Sequence, residues 1–310
     1  MTKRWTNILV LLSLLCQPAC GDEEADPTGG DGDSDSDTDT DSDTDTDADT
    51  DTDADTDTDS DTDTDADTDT DADTDTDTDA PQCPDGAIVS LTYDDNLNSQ
   101  LTNAVPSLDN HGLRGTFFLM NPFNRAPWEA LKANGHELGF HTFDHPCPEA
   151  NSWVVAGNAS EDYDLARMEQ ELDDGIAMLS EMGQEPPLSF AYPCGITWVG
   201  DAHESYVPLV EERFIAARGV AGSYVTTLSD IMNVPSFFLT GTGDSLMAIV
   251  DNAVSVNAWV VFGFHGVGGD HSAIAAADHE ALAAYLETAE DVTVLPFGEA
   301  AACMTLRQAR

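Results

Sequence analysis

The chain has 310 residues and a formal net charge of −50, with 10 Lys and Arg against 60 Asp and Glu. A balance this acidic excludes binding to nucleic acid, or to an anionic membrane surface, through a basic patch. The charge is unevenly spread: every odd position from Asp31 to Asp79 is Asp, which accounts for 25 of the acids, and residues 80–310 keep 31 acids against eight Lys and Arg.

Lys3 and Arg4 precede an apolar run, Ile8 to Leu15, that is too short to span a bilayer. Residues 1–19 are therefore expected to be an export signal. The run breaks at Gln17-Pro18-Ala19-Cys20-Gly21, which resembles a bacterial lipoprotein cleavage site with Cys20 as the lipidated residue. Gln17 stands where Leu is usual, and Cys16 is a rival position. An exported lipoprotein at the cell surface or outer membrane is the expectation, with plain secretion as the alternative. The only membrane contact would then be through a lipid on Cys20.

Residues 20–82 form an Asp/Thr-rich tract with no core-forming side chains. It reads as a disordered, self-repelling stalk. Alternating Asp can mimic calcium loops, but the tract lacks the repeated turn glycine and distal Glu that such loops use.

Residues 83–310 are long enough for one domain with a sizeable core. Ile88–Tyr93 reads as a buried strand, Leu101–Asn110 as a helix, Gly115–Met120 as a strand and Pro127–Asn134 as a helix. A short strand around Leu138 is followed by a loop over Pro146–Ser160. A long helix then runs from about Asp162 to Met182, where Leu165, Met168, Leu172, Ile176 and Leu179 make one apolar stripe. Leu188–Tyr192 is a predicted strand, Val207–Ala217 a helix, Ala258–Phe264 a buried strand, Ser272–Thr288 a helix and Val292–Leu295 the last strand. Repeated strand–helix units imply a parallel sheet or barrel.

An exported domain can hold disulfides, and Cys83, Cys147, Cys194 and Cys303 allow three pairings. Cys83 with Cys303 and Cys147 with Cys194 is the expected set, since the first two bracket the domain and the others lie beside the motifs below. A thiolate metal ligand at Cys147 is the alternative.

Asp94-Asp95 closes the first strand, and His141 with His145 follows another. Open α/β sheets and barrels place their chemistry at such strand ends. Two imidazoles and one carboxylate leave coordination positions open, as a catalytic metal requires. Taken singly, an Asp pair is commonly a helix cap and His-x-x-x-His a pair of surface histidines. His136, at the start of its strand, is expected to serve packing or the surface, and His271 and His279 are assigned to the surface.

Four segments in order carry a resemblance to a known family. Thr92-Tyr93-Asp94-Asp95, His141-Thr142-Phe143-Asp144-His145-Pro146, Phe190-Ala191-Tyr192-Pro193-Cys194-Gly195 and Phe264-His265-Gly266-Val267 resemble the motifs of polysaccharide deacetylases, the NodB-homology domains of carbohydrate esterase family 4. The resemblance implies an α/β fold, a distorted (β/α) barrel. It implies a metal-dependent hydrolase that removes acetyl groups from a polysaccharide, most simply from N-acetylated amino sugars, with O-acetyl esters or a non-catalytic carbohydrate binder as alternatives. It implies Asp95, His141 and His145 as ligands of a divalent metal, with zinc the expected ion, and Asp94 as general base toward the attacking water. The backbone N–H of Cys194 would serve the oxyanion, His265 would be the general acid, and Tyr192 and Pro193 would contact substrate. The partner would be an acetylated polysaccharide, met by a monomer.

Two positions depart from the family. The Arg that often braces the base in the third motif is replaced by Ala191, and no clear fourth motif orients His265. Asp230 and Trp198 are the nearest candidates. Trp153, Trp198 and Tyr206 are candidate sugar-stacking aromatics.

Overall fold

The computed structural model describes residues 83–122, 124–238 and 240–309. The expected export signal, Cys20 and the acidic stalk lie outside the described residues. In chain order the elements are β1 (Ala87–Asp94), α1 (Val105–Asn110), β2 (Thr116–Leu119), α2 (Ala126–Leu131), β3 (Glu137–Phe140), α3 (Leu165–Glu181), β4 (Ser189–Ala191), β5 (Trp198–Val199), β6 (Glu204–Ser205), α4 (Val207–Glu211), β7 (Ala216–Arg218), β8 (Phe237–Phe238), α5 (Gly243–Val256), β9 (Trp259–Phe264), α6 (Ala276–Thr288), β10 (Val292–Val294) and α7 (Phe297–Ala309).

β1 organises the sheet. All eight of its residues are buried, which fits its near-continuous apolar run, since a parallel strand is covered on both faces. Along one edge it pairs with β9 from Ile88–Trp259 to Tyr93–Phe264. Along the other, β10 fills the first half and β2 the second. The sheet continues as β2-β3-β4-β7 on one side and β9-β8 on the other, every pair parallel. The two ends approach each other through Val234, just before β8, which bridges Arg218 of β7. A sheet of this order wrapped by helices is the distorted (β/α) barrel expected from the alternation. β5 and β6 form a separate antiparallel pair.

Helix α3 shows how the local sequence sets the packing. Asp164 caps it, its side chain accepting from Arg167 N at 2.8 Å. Its stripe seats Met168, Leu172 and Leu179 in the core, and Gly183 at φ +76° closes it. The disulfides Cys83–Cys303 and Cys147–Cys194 are both present, as expected.

The expectation of a helix over Val207–Ala217 is corrected. The helix stops at Glu211, and Ala216–Arg218 is a strand pairing with β4. Alanine favours helix only as a weak local preference, and a buried place in the sheet outweighs it. Helices α5 and α7 went unpredicted. α5 opens on Gly243 and mixes β-branched with polar residues, so neither period dominates.

Candidate active site

Because the strands are parallel, the C-terminal ends of β1, β3, β4 and β9 open at one end of the barrel. Asp94 closes β1, His141 follows β3, Tyr192 follows β4 and His265 follows β9. Five non-glycine residues there adopt left-handed backbone: Asp95, Asn96, Thr142, His145 and Cys194, with φ between +44° and +74°. Such conformations cost about 1–3 kcal/mol each and persist where surrounding contacts enforce them. Those contacts are visible. Asn96 Oδ1 accepts from Met120 N at 2.8 Å. Gln100 Nε2 donates to the carbonyls of both Asp94 and His265, tying β1 to β9. Buried Glu171 of α3 accepts from Phe143 N at 2.6 Å and Asp144 N at 3.1 Å, bracing the His141–His145 loop.

Asp95, His141 and His145 converge. Asp95 Oδ1 lies 3.6 Å from His141 Nε2 and 3.8 Å from His145 Nε2. That oxygen is buried and has no hydrogen-bond partner among the described residues, an expensive state unless something else meets it. His141 is fixed in orientation by Nδ1, which donates to Ala191 O at 2.8 Å and turns Nε2 toward Asp95. An oxygen and two ring nitrogens arranged in this way can hold a divalent cation, and the donor set suits zinc. Burial, followed by the neighbouring His141, pushes the His145 imidazole down to about 4, keeping it neutral as a ligand must be. For Asp95, burial alone would raise the carboxyl, but the imidazoles of His141, His145 and His265 and the hydrogen bond from His271 outweigh it and hold the group below the usual range. A thiolate ligand at Cys147 is corrected: its sulfur is committed to Cys194.

Asp94 faces the other way. Its two oxygens meet Arg218 Nη2, at 2.7 Å for Oδ1, and both side chains are buried. The bracing arginine that the third motif lacks is thus supplied by β7. Arg218 lies over the rings of Phe238 and Phe118, at 4.7 and 5.2 Å, in a setting that favours a planar cation. Asp94 Oδ2 remains 3.7 Å from His141 Nε2, beside the candidate cation position.

His265 Nε2 sits 3.8 Å from Asp95 Oδ2, against the Phe238 ring at 5.2 Å. Burial lowers its imidazole below the ordinary value, more than Asp94 and Asp95 raise it. Asp230 does not orient it; its side chain caps the turn at Met232 N.

His271 lies at the surface as expected but meets the site there, and the assignment of His279 to the surface is corrected. His271 is exposed, yet its Nε2 contacts Asp95 Oδ2 at 2.8 Å, so it belongs to the site. Its signal in sequence is only its position six residues after His265. His279 is buried and shares a 2.7 Å hydrogen bond between Nε2 and the Tyr93 hydroxyl. His136 is a packing residue as expected, linking Asp109 to Gly115 N.

A cleft of about 830 Å³ opens over these groups, its lining including Trp153, Tyr192, Cys194 and His271. Trp153 is 59% exposed and its ring lies 5.7 Å from that of His145. Trp198 instead stacks on His203 at 3.6 Å, and Tyr206 is buried, donating to Ile196 O. Tyr192 reaches the cleft with a buried hydroxyl that lacks a partner among the described residues, whereas Pro193 is buried in the turn that shapes the lip.

Residues 82–203 match the family model for polysaccharide deacetylases. Among solved structures, a probable polysaccharide deacetylase from Pseudomonas aeruginosa PAO1 superposes with a TM-score of 0.52 at 12% identity, over 72% of this chain and 92% of that one, a likeness of fold. A family 4 acetyl xylan esterase from Clostridium thermocellum, solved with a cobalt ion, gives 0.44 at 19% identity over 71% and 91%. A gellan lyase from a Bacillus species is 27% identical over 181 residues, 54% of this chain but only 6% of that protein's length. The segment that matches the polysaccharide deacetylase model, residues 82–203, spans the Asp94-Asp95, His141–His145 and Tyr192–Cys194 motifs, so this part of the chain is similar to that family where the candidate site lies.

Proposed function

We propose that the domain is a metal-dependent hydrolase that releases acetate from an acetylated polysaccharide, with the amide of an N-acetylated amino sugar as its first substrate. The observation that carries this reading is the buried, unpartnered Asp95 Oδ1 facing two imidazole nitrogens. When bound there, a zinc-like cation supplies the Lewis acidity that polarises an acetyl carbonyl.

The chain's own residues do the rest. Asp94, its orientation fixed by Arg218, takes the proton of the attacking water at the carboxylate oxygen nearest His141. The Cys194 N–H, in a backbone conformation held by the disulfide to Cys147, donates to the oxygen on which negative charge develops. His265, at the end of β9 beside Asp95, delivers a proton to the departing nitrogen. Trp153 offers an aromatic face to the sugar ring. We further propose that the export signal and Cys20 hold this domain at a cell surface, with residues 20–82 as spacer.

The test is acetate release from N-acetylglucosamine oligomers and from acetylated xylan, with and without chelator. Release that chelator abolishes, with Asp94→Asn retaining the metal but losing activity by about a hundredfold or more, supports the proposal, and the better substrate separates amide from ester. No release from any acetylated glycan while metal is bound would assign the domain to carbohydrate binding instead.

A further inference from the structure

Asp95 presents its two oxygens to two different pairs of imidazoles. Oδ1 faces His141 and His145. Oδ2 faces His265 at 3.8 Å and His271 at 2.8 Å, both through Nε2. The second set, Asp95 with His265 and His271, gathers its three ligand atoms within 4.8 Å of one another, as the first does. We propose that Asp95, His265 and His271 form a second divalent-cation site, outside the first and sharing Asp95 as a bridging carboxylate.

The donor chemistry suits such an ion. Two neutral imidazoles and one carboxylate oxygen are the ligands of a zinc-class cation, with positions left for solvent. A carboxylate that gives one oxygen to each metal spaces two ions about 3.5–4 Å apart. The loop bearing His271 is anchored on both sides. Asp270 Oδ2 accepts from Ser99 N at 2.7 Å, and His271 O accepts from Gly266 N at 3.2 Å. His265 is held through its carbonyl by Gln100. The rings of His265 and His271 lie 5.3 Å apart and inclined at 51°, so both can direct a nitrogen at one point without stacking. His271 is the most exposed of the four imidazoles around Asp95, making the outer site the wetter and weaker one.

This inference rests on the reading of Asp95, His141 and His145 as the first site, and it has a consequence for that reading. An imidazole coordinated through Nε2 cannot carry a proton there. Filling the outer site therefore takes His265 out of service as an acid, and the outer cation acts as an inhibitor at high metal concentration.

The test is titration of the full metal-free chain with cobalt(II), followed by visible absorption. Cobalt bound by imidazoles at low coordination number absorbs strongly, whereas the six-coordinate carboxylate and water sites of an acidic tract absorb weakly. The expected result is a strong signal that grows to two equivalents in the wild type, stops at one in His271→Ala, and stops at one in His141→Ala. His271 is exposed, so its removal leaves the core folded. A wild-type signal complete at one equivalent and insensitive to His271→Ala would overturn the outer site while leaving the inner one standing. A single equivalent lost in His271→Ala but kept in His141→Ala would instead refute the inner site alone.

Discussion

Arg218 and Asp94 form a buried ion pair across the barrel, 124 residues apart in sequence, with Nη2 reaching both carboxylate oxygens. Arg218 also donates to Ser236 Oγ and Gly219 O through Nη1, so the pair joins β7 to the end of β1. Removing one partner from a buried pair strands the other charge, which costs about 3–5 kcal/mol. Arg218→Met should lower unfolding free energy by that amount in urea and abolish acetate release. Adding Asp94→Asn to Arg218→Met should restore much of the stability and none of the activity. Additive losses in the double variant would show that the two residues do not act as a pair.

The Cys147–Cys194 bridge ties the loop after His145 to the turn after Tyr192. It closes a loop of 47 residues, so replacing both cysteines by Ser should cost about 2–4 kcal/mol. Because the bridge fixes the segment next to a candidate ligand, affinity for a divalent cation at the Asp95–His141–His145 site should fall about tenfold as well. Competition with a chromophoric chelator measures the second effect, and unchanged affinity would confine the bridge to stability.

His279 makes stability depend on pH. It is packed against Tyr93 and Phe264, and the charge of Glu280 acts on it against the burial. Burial pushes its imidazole down from 6.5 to about 4, so below 6.5 the unfolded chain takes up a proton that the folded one refuses. The stabilisation is therefore full above pH 6.5 and is lost as pH falls toward 4. Between pH 7 and pH 5 this amounts to about 2 kcal/mol. Urea titrations of the wild type and His279→Gln at several pH values should give a shallower dependence in the variant; equal slopes would remove His279 as the cause.

Gly175 lies inside α3, where Ala is ordinarily better by about 1 kcal/mol. A Cβ there would run into the ring of Phe140, the residue before His141, and overpacking a core costs about 1–3 kcal/mol. Gly175→Ala should thus lower the melting temperature despite the gain in helix propensity. A raised melting temperature would mean that the Phe140 ring can move aside.

Much of this arrangement is legible in the order of the amino acids. Asp94, Asp95, His141, His145 and His265 each end or follow an apolar run, and runs of that kind become parallel strands whose ends gather together. Arg218 is not legible, because it lies in a stretch that reads as loop after alanines, and nothing local marks it as the partner of Asp94. His271 and His279 escape for a related reason: one sits in a polar, glycine-rich loop and the other on an alanine-rich helix, and their neighbours in sequence do not reveal what faces them.

The sequence by itself determined most of the strand–helix alternation and the strand-end residues, because hydrophobic period and turn residues are local properties of the chain; the cysteines offered three pairings, and folding chose between them. Tertiary structure alone decided which arginine steadies Asp94, which oxygen of Asp95 each imidazole meets, and that His279 is sealed in the core. Those relations arise between side chains more than a hundred residues apart in several cases, and they exist only once barrel closure brings β7, β9 and the loop after β9 against the end of β1.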